Sequence, residues 1–116
     1  MDLAPIEQQA LALLLDRDDE GFQVLRQQAE VASVVSREFS GVGFFTELSV
    51  PPDAPHLPDG TSIDPITGVG ADIAGLQHGA GFVLFLAEGR LEMLEGFTYD
   101  EPWPDSYESF SVFHLW

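Results

Sequence analysis

The spacing of apolar residues changes along the chain and divides it into predicted elements. Ile6, Ala10, Leu13 and Leu14 recur at helical spacing. Pro5 suits a first helical turn and Glu7 lies behind it where an acid is favoured, so a helix is predicted over roughly residues 5–15. The cluster Asp16-Arg17-Asp18-Asp19 interrupts the stripe. Asp18 or Asp19 can cap a second helix that buries Phe22, Leu25, Ala29 and Ala32 and leaves Gln23, Arg26, Gln27 and Glu30 in water.

From Val31 the period shortens towards two, and Val31, Val34 and Val35 favour a strand. Ser40-Gly41 breaks the run. Val42, Phe44, Thr46, Leu48 and Val50 then share one side of a second strand, so residues 34–39 and 42–50 read as a first hairpin. Prolines 51, 52, 55, 58 and 65 make residues 51–67 a long irregular connection, because proline cannot donate to a ladder. Residues 68–76 read as a glycine-diluted strand in which Val69, Ala71 and Ile73 alternate with Gly70, Asp72 and Ala74.

The centre of the pattern is residues 79–104. Phe82 to Ala87 is a continuous apolar run, Glu88-Gly89 is a two-residue loop, and a second run extends from Arg90 to Tyr99. A regular register opposes Ala87 to Arg90, Leu86 to Leu91, Leu84 to Met93 and Phe82 to Glu95. One face is then Phe82, Leu84, Leu86, Leu91 and Met93, and the other Val83, Phe85, Ala87, Arg90, Glu92 and Leu94. An interior strand beside one nearer the sheet edge fits this pattern. Each large side chain so buried contributes about 1.5–3 kcal/mol. Pro102 and Pro104 bracket Trp103 and take the chain out of the ladder. Phe110, Val112, His114 and Trp116 alternate with Ser111, Phe113 and Leu115 in a last strand at a sheet edge. The whole chain, residues 1–116, reads as one α+β domain: two N-terminal helices packed on an antiparallel sheet of about five or six strands with a central hairpin.

Charge narrows the partners. Twenty acidic residues against four arginines and no lysine give a net charge of -16. Such a surface repels nucleic acid and anionic membrane and attracts a basic protein. The lack of lysine and asparagine reads as compositional bias. Without cysteine there is no disulfide framework, thiolate metal site or thiol nucleophile. MDLAPIEQQ has neither the basic start nor the apolar stretch of a signal peptide, and no apolar run nears the roughly 18 residues of a membrane span, so a cytoplasmic location is expected.

Reactive constellations are sparse. His56 with Asp53, Asp59 and Asp64 offers oxygen and nitrogen donors in the long loop, but without the spacing of a calcium loop. His56, His78 and His114 are scattered, no GxSxG or SxxK is present, and GVGADIAG fails the dinucleotide spacing. No cofactor or metal ligand set is therefore expected. Glu95 falls on the apolar face in the regular register, and a bulge at Glu95-Gly96 would return it to water. Glu92 points away from it, so the two do not form a carboxylate pair. Tyr99, Asp100, Glu101, Trp103, Asp105, Tyr107 and Glu108 combine aromatic anchors with arginine-accepting acids and form the candidate interface. The bland alternative is that Trp103 folds back to close the end of the core.

The segments SREFSGVGFFTELSVP, residues 36–51, and GFVLFLAEGRLEMLEGFTYDEPWP, residues 81–104, resemble those of a group of small acidic bacterial proteins of uncharacterised role. That resemblance rests on turns, strand patterns and aromatics, and it carries over no active-site residue. In size and acidity the chain is also similar to immunity proteins that block nuclease toxins, without a motif diagnostic of the barstar family. The expected function is a noncatalytic interaction module, an immunity-type inhibitor of a basic partner being its sharpest form. The alternative is a small-ligand-binding or enzymatic domain with a pocket between the helices and the glycine-diluted strand. A homodimer that covers a second apolar sheet face is the remaining partner reading.

Overall fold

The computed structural model describes residues 2–58, 60–61 and 65–115. Helices α1 (Pro5–Leu14) and α2 (Glu20–Val31) precede strands β1 (Ser33–Phe39), β2 (Gly43–Ser49), β3 (Ile66–Ile73), β4 (Ala80–Ala87), β5 (Arg90–Thr98) and β6 (Phe110–His114). The strands form one six-stranded sheet in the order β1-β2-β5-β4-β3-β6, with antiparallel neighbours throughout. The α+β class is as the sequence predicts.

Local chemistry sets the element ends. The Asp19 carboxylate accepts from the Gly21 amide at 3.0 Å and caps α2. Val31 belongs to the last turn of α2 instead of opening the first strand. It is exposed there, so its modest β preference is outweighed by the hydrogen bonding of the helical turn. Glu88 and Gly89 both adopt positive φ, 53° and 77°, as the two-residue turn between β4 and β5 requires. A Cβ at Gly89 would also stand 2.3 Å from the Leu57 carbonyl oxygen.

Register shifts in three ladders correct the simple alternation, one of them in β3 between Ile66 and Val69. In the central hairpin Ala87 pairs with Arg90 and Leu86 with Leu91, as expected, but Phe85 pairs with Met93, Leu84 with Leu94, Val83 with Glu95 and Phe82 with Gly96. The irregularity lies at Glu92, not at Glu95-Gly96, because the extra residue leaves the ladder there. Leu94 thereby joins the helix-facing side, while Met93 goes to the other. Both hairpin strands are interior: β5 lies between β2 and β4, which corrects the expectation of a strand nearer the edge. In β1 the register shifts between Val34 and Ser36, and Val35 is the extra residue. Val34 and Arg37 consequently face the same side.

Both helices cover one sheet face. Leu14 and Leu25 from the helices meet Phe82, Leu84 and Leu94 in a core that includes Ile66, Val69 and Ala71. Gln28, fully buried, ties α2 to the far end of the hairpin: its Nε2 donates to the carbonyls of Pro55 and Gly89, each at 2.9 Å, and its Oε1 accepts from the Leu91 amide at 2.9 Å. Those bonds fix the start of the long loop against the β4–β5 turn.

Candidate functional site

The helix-facing side of the sheet carries a buried polar cluster at the N-terminus of α1. Glu7 shares its helical stripe with Ala10, Leu11 and Leu14 and is only 1% exposed. One carboxylate oxygen accepts from the Ala4 amide at 2.7 Å and from Arg37 Nη2 at 2.5 Å; the other accepts from Arg37 Nε at 3.0 Å and from the Thr46 hydroxyl. Arg37 and Thr46 are themselves ladder partners, brought to this side by the Val35 bulge. The four donors satisfy the carboxylate, and the paired guanidinium neutralises it, which is the condition for keeping such a charge out of water.

Above this cluster the chain after β5 folds back. Trp103 donates its backbone amide to the Gly41 carbonyl at 2.8 Å and sets its ring edge-on to Phe44, with centroids 5.0 Å apart. Tyr107 packs edge-on to Phe110. Together with Ile6, Glu7, Arg37, Phe39, Pro104 and Asp105, these rings enclose a cavity of about 170 Å³. Burial pushes the Tyr107 hydroxyl above the ordinary tyrosine value, and the nearby charge of Glu7 adds to the shift. A wider hollow of about 300 Å³ lies between α1 and α2, where Arg26 is already bound to the carbonyls of Leu15 and Arg17.

The acidic and aromatic segment expected to form one interface is divided by the sheet. Trp103, Asp105 and Tyr107 line the cavity on the helix side, and Trp103 also closes the end of the core. Tyr99 lies on the opposite face, edge-on to Phe97 at 5.5 Å. Asp100 occupies a turn with φ 60°. The Glu101 carboxylate accepts from the amides of Gln77 and His78, at 2.9 Å each, and those bonds hold its pKa below the usual carboxylate value. Glu108 is exposed beside Ala74 and Gly75. In the long loop, His56 faces Arg90 at 3.4 Å, while Asp59 and Asp64 lie outside the described residues. Among the described residues no three acids or histidines gather as a metal site.

The other face of the sheet mixes apolar side chains with carboxylates, and no helix among the described residues covers it. Its rows read Glu38-Phe45-Glu95-Val83 and Ser36-Glu47-Met93-Phe85 across β1, β2, β5 and β4. Farther along, Gly81 and Gly70 are ladder partners. Phe97 and Tyr99 lie over Gly81, and Phe113 and Leu115 lie over Gly70, so the glycines give those side chains room to lie flat on the backbone. Tyr99, Phe113 and Leu115 are exposed, and Phe45, Val83, Phe85, Met93 and Phe97 are half-buried.

Arg17, Arg26 and Arg37 are engaged away from this face, whereas Arg90, the ladder partner of Ala87 in the row of Val83 and Phe85, stands at its β4–β5 end. Arg37 holds Glu7, Arg26 binds the end of α1, Arg17 donates to the Thr67 carbonyl and sits over Phe22, and Arg90 reaches the Pro52 carbonyl. The outer face thus carries Glu38, Glu47 and Glu95 across its middle, with Arg90 at its β4–β5 end.

From sequence, Glu7 reads only as a helix-start acid and not as a site residue. Its place on the stripe of Ala10, Leu11 and Leu14 was the available signal. No helix among the described residues is long and apolar enough to cross a membrane. In comparisons with known proteins, no family model, no curated protein and no solved structure matches the chain.

Proposed function

We propose that this is a noncatalytic interaction domain whose outer sheet face binds a basic protein. The observation that carries the reading is the composition of that face: half-buried Phe45, Val83, Phe85 and Met93 are interleaved with Glu38, Glu47 and Glu95, and Arg90 stands only at its β4–β5 end. Apolar side chains at this density supply the contact area, and the unpaired carboxylates select the sign of the partner's charge. A second copy of the chain would lay like-charged faces together, each molecule bearing -16. A basic partner gains from the same charge in both encounter rate and fit. An immunity-type inhibitor that seals a basic toxin is the most specific form of this reading.

Capture from a lysate of the source organism tests it when wild type and the outer-face variant Phe85→Asp are compared. The expected result is a basic polypeptide retained by wild type at low salt, released at high salt, and not retained by the variant. Equal retention by both, or a homodimer that the substitution dissolves, would overturn the proposal. Circular dichroism of the variant checks that its fold is intact.

A further inference from the structure

We infer that the cavity between α1, the β1–β2 hairpin and the chain after β5 is a binding site for an alkylammonium group, held by aromatic faces with Asp105 at its mouth. This site lies across the sheet from the proposed docking face and does not depend on it. Four rings contribute to its wall: Phe39, Phe44, Trp103 and Tyr107. Trp103 stands edge-on to buried Phe44 at 5.0 Å between centroids and Tyr107 edge-on to Phe110 at 5.9 Å, while Phe39, 6.3 Å from Phe44, is exposed at the rim. A wall of aromatic rings attracts a cation through the negative potential of the ring faces.

Charge and size select the ligand class. The Arg37 guanidinium is paired with Glu7, so the two cancel within the wall and leave Asp105, which is exposed, as the net charge of the lining. With -16 on the whole chain, an anion is disfavoured both in approach and in place. The volume of about 170 Å³ is below the roughly 300 Å³ at which sites for drug-sized ligands begin, so the cavity takes a headgroup or the end of a side chain. A quaternary or primary ammonium on a short alkyl stem fits both limits.

Titration of the intact chain, in a Trp116→Phe background that leaves Trp103 as its single indole, tests the assignment. Choline is compared with 3,3-dimethylbutan-1-ol, which has the same shape without the charge, and with Nε-trimethyllysine in a short peptide. Saturable change in Trp103 emission is expected for a cationic ligand, with binding about ten-fold weaker for the neutral analogue. Binding of choline identifies a free headgroup as ligand, and binding of the peptide alone identifies a side chain. Asp105→Asn, an exposed change that spares the fold, is expected to weaken either cation several-fold and leave the neutral analogue unchanged. Equal binding of the charged and neutral analogues, or no saturable response to either cation, would overturn the inference.

Discussion

Arg37 on β1 grips Glu7 on α1 through two hydrogen bonds, Nε to Oε2 at 3.0 Å and Nη2 to Oε1 at 2.5 Å, across 30 residues of sequence. The pair fastens the first helix to the edge of the sheet. Because Glu7 is buried, removing one partner strands the charge of the other. Glu7→Gln is expected to cost about 3 kcal/mol of stability. Arg37→Met should cost a similar amount, and the double variant less than the sum. Urea unfolding of all four proteins measures the coupling, and strictly additive losses would contradict it.

Gln28 bridges three backbone groups that nothing else in the apolar surroundings can replace on the same geometry. Gln28→Leu keeps the volume but leaves the Leu91 amide without its partner and removes a donor from the Pro55 and Gly89 carbonyls. A loss of about 2–3 kcal/mol is expected. The same variant should raise amide exchange at Leu91 and proteolytic cleavage in residues 51–58, both of which stay at wild-type levels if Gln28 is not the tether.

Tyr107 should ionise above about pH 10, the ordinary tyrosine value, because burial disfavours the phenolate and Glu7 repels it. Tyr99→Phe leaves Tyr107 as the single tyrosine, and its absorbance near 295 nm then reports the midpoint. Since the folded pKa is raised, this group's contribution to stability is whole below about pH 10 and is lost as pH rises through the folded value. Adding Glu7→Gln should move the midpoint down without restoring it, as burial remains. A midpoint at or below 10 in the Tyr99→Phe protein would contradict the buried placement.

Glu101 behaves in the opposite sense. Its folded pKa is lowered, first by the Gln77 amide and then by the His78 amide, so its contribution is present above the ordinary carboxylate value and is lost as pH falls through the folded one. Thermal unfolding of wild type should therefore weaken more steeply on acidification than that of Glu101→Gln. Parallel curves would mean that the carboxylate does not hold the β3–β4 connection.

The legible part of the fold was the part with strong period and turn chemistry. Pro5, Asp19 and the Glu88-Gly89 loop marked their elements, and the alternation of Val69, Ala71 and Ile73 survives in β3. What sequence alone hid were the register shifts, two of which rearrange the faces described above. A single extra residue at Glu92 exchanges Met93 and Leu94 between faces, and one at Val35 turns Arg37 inward. A bulge is a balance between pairing and twist with no fixed residue signature when neither residue is glycine. For the same reason the Glu7–Arg37–Thr46 cluster was invisible: its three members meet only once that inward turn is known. The split of Tyr99 from Trp103 is likewise hidden, because the chain turns at Asp100, where φ is positive, and passes the end of β5 to the helix side.

A basic protein is proposed to dock on the sheet face that carries Glu38, Glu47 and Glu95. A photo-crosslinking residue placed at Phe85, with Gln27 on α2 as the control position, tests it most directly in cells of the source organism. The account predicts a crosslink from position 85 to a basic polypeptide, weakened by salt in the extract, and none from position 27. Crosslinks from 85 to a second copy of the chain, or equal yields from both positions, would contradict it.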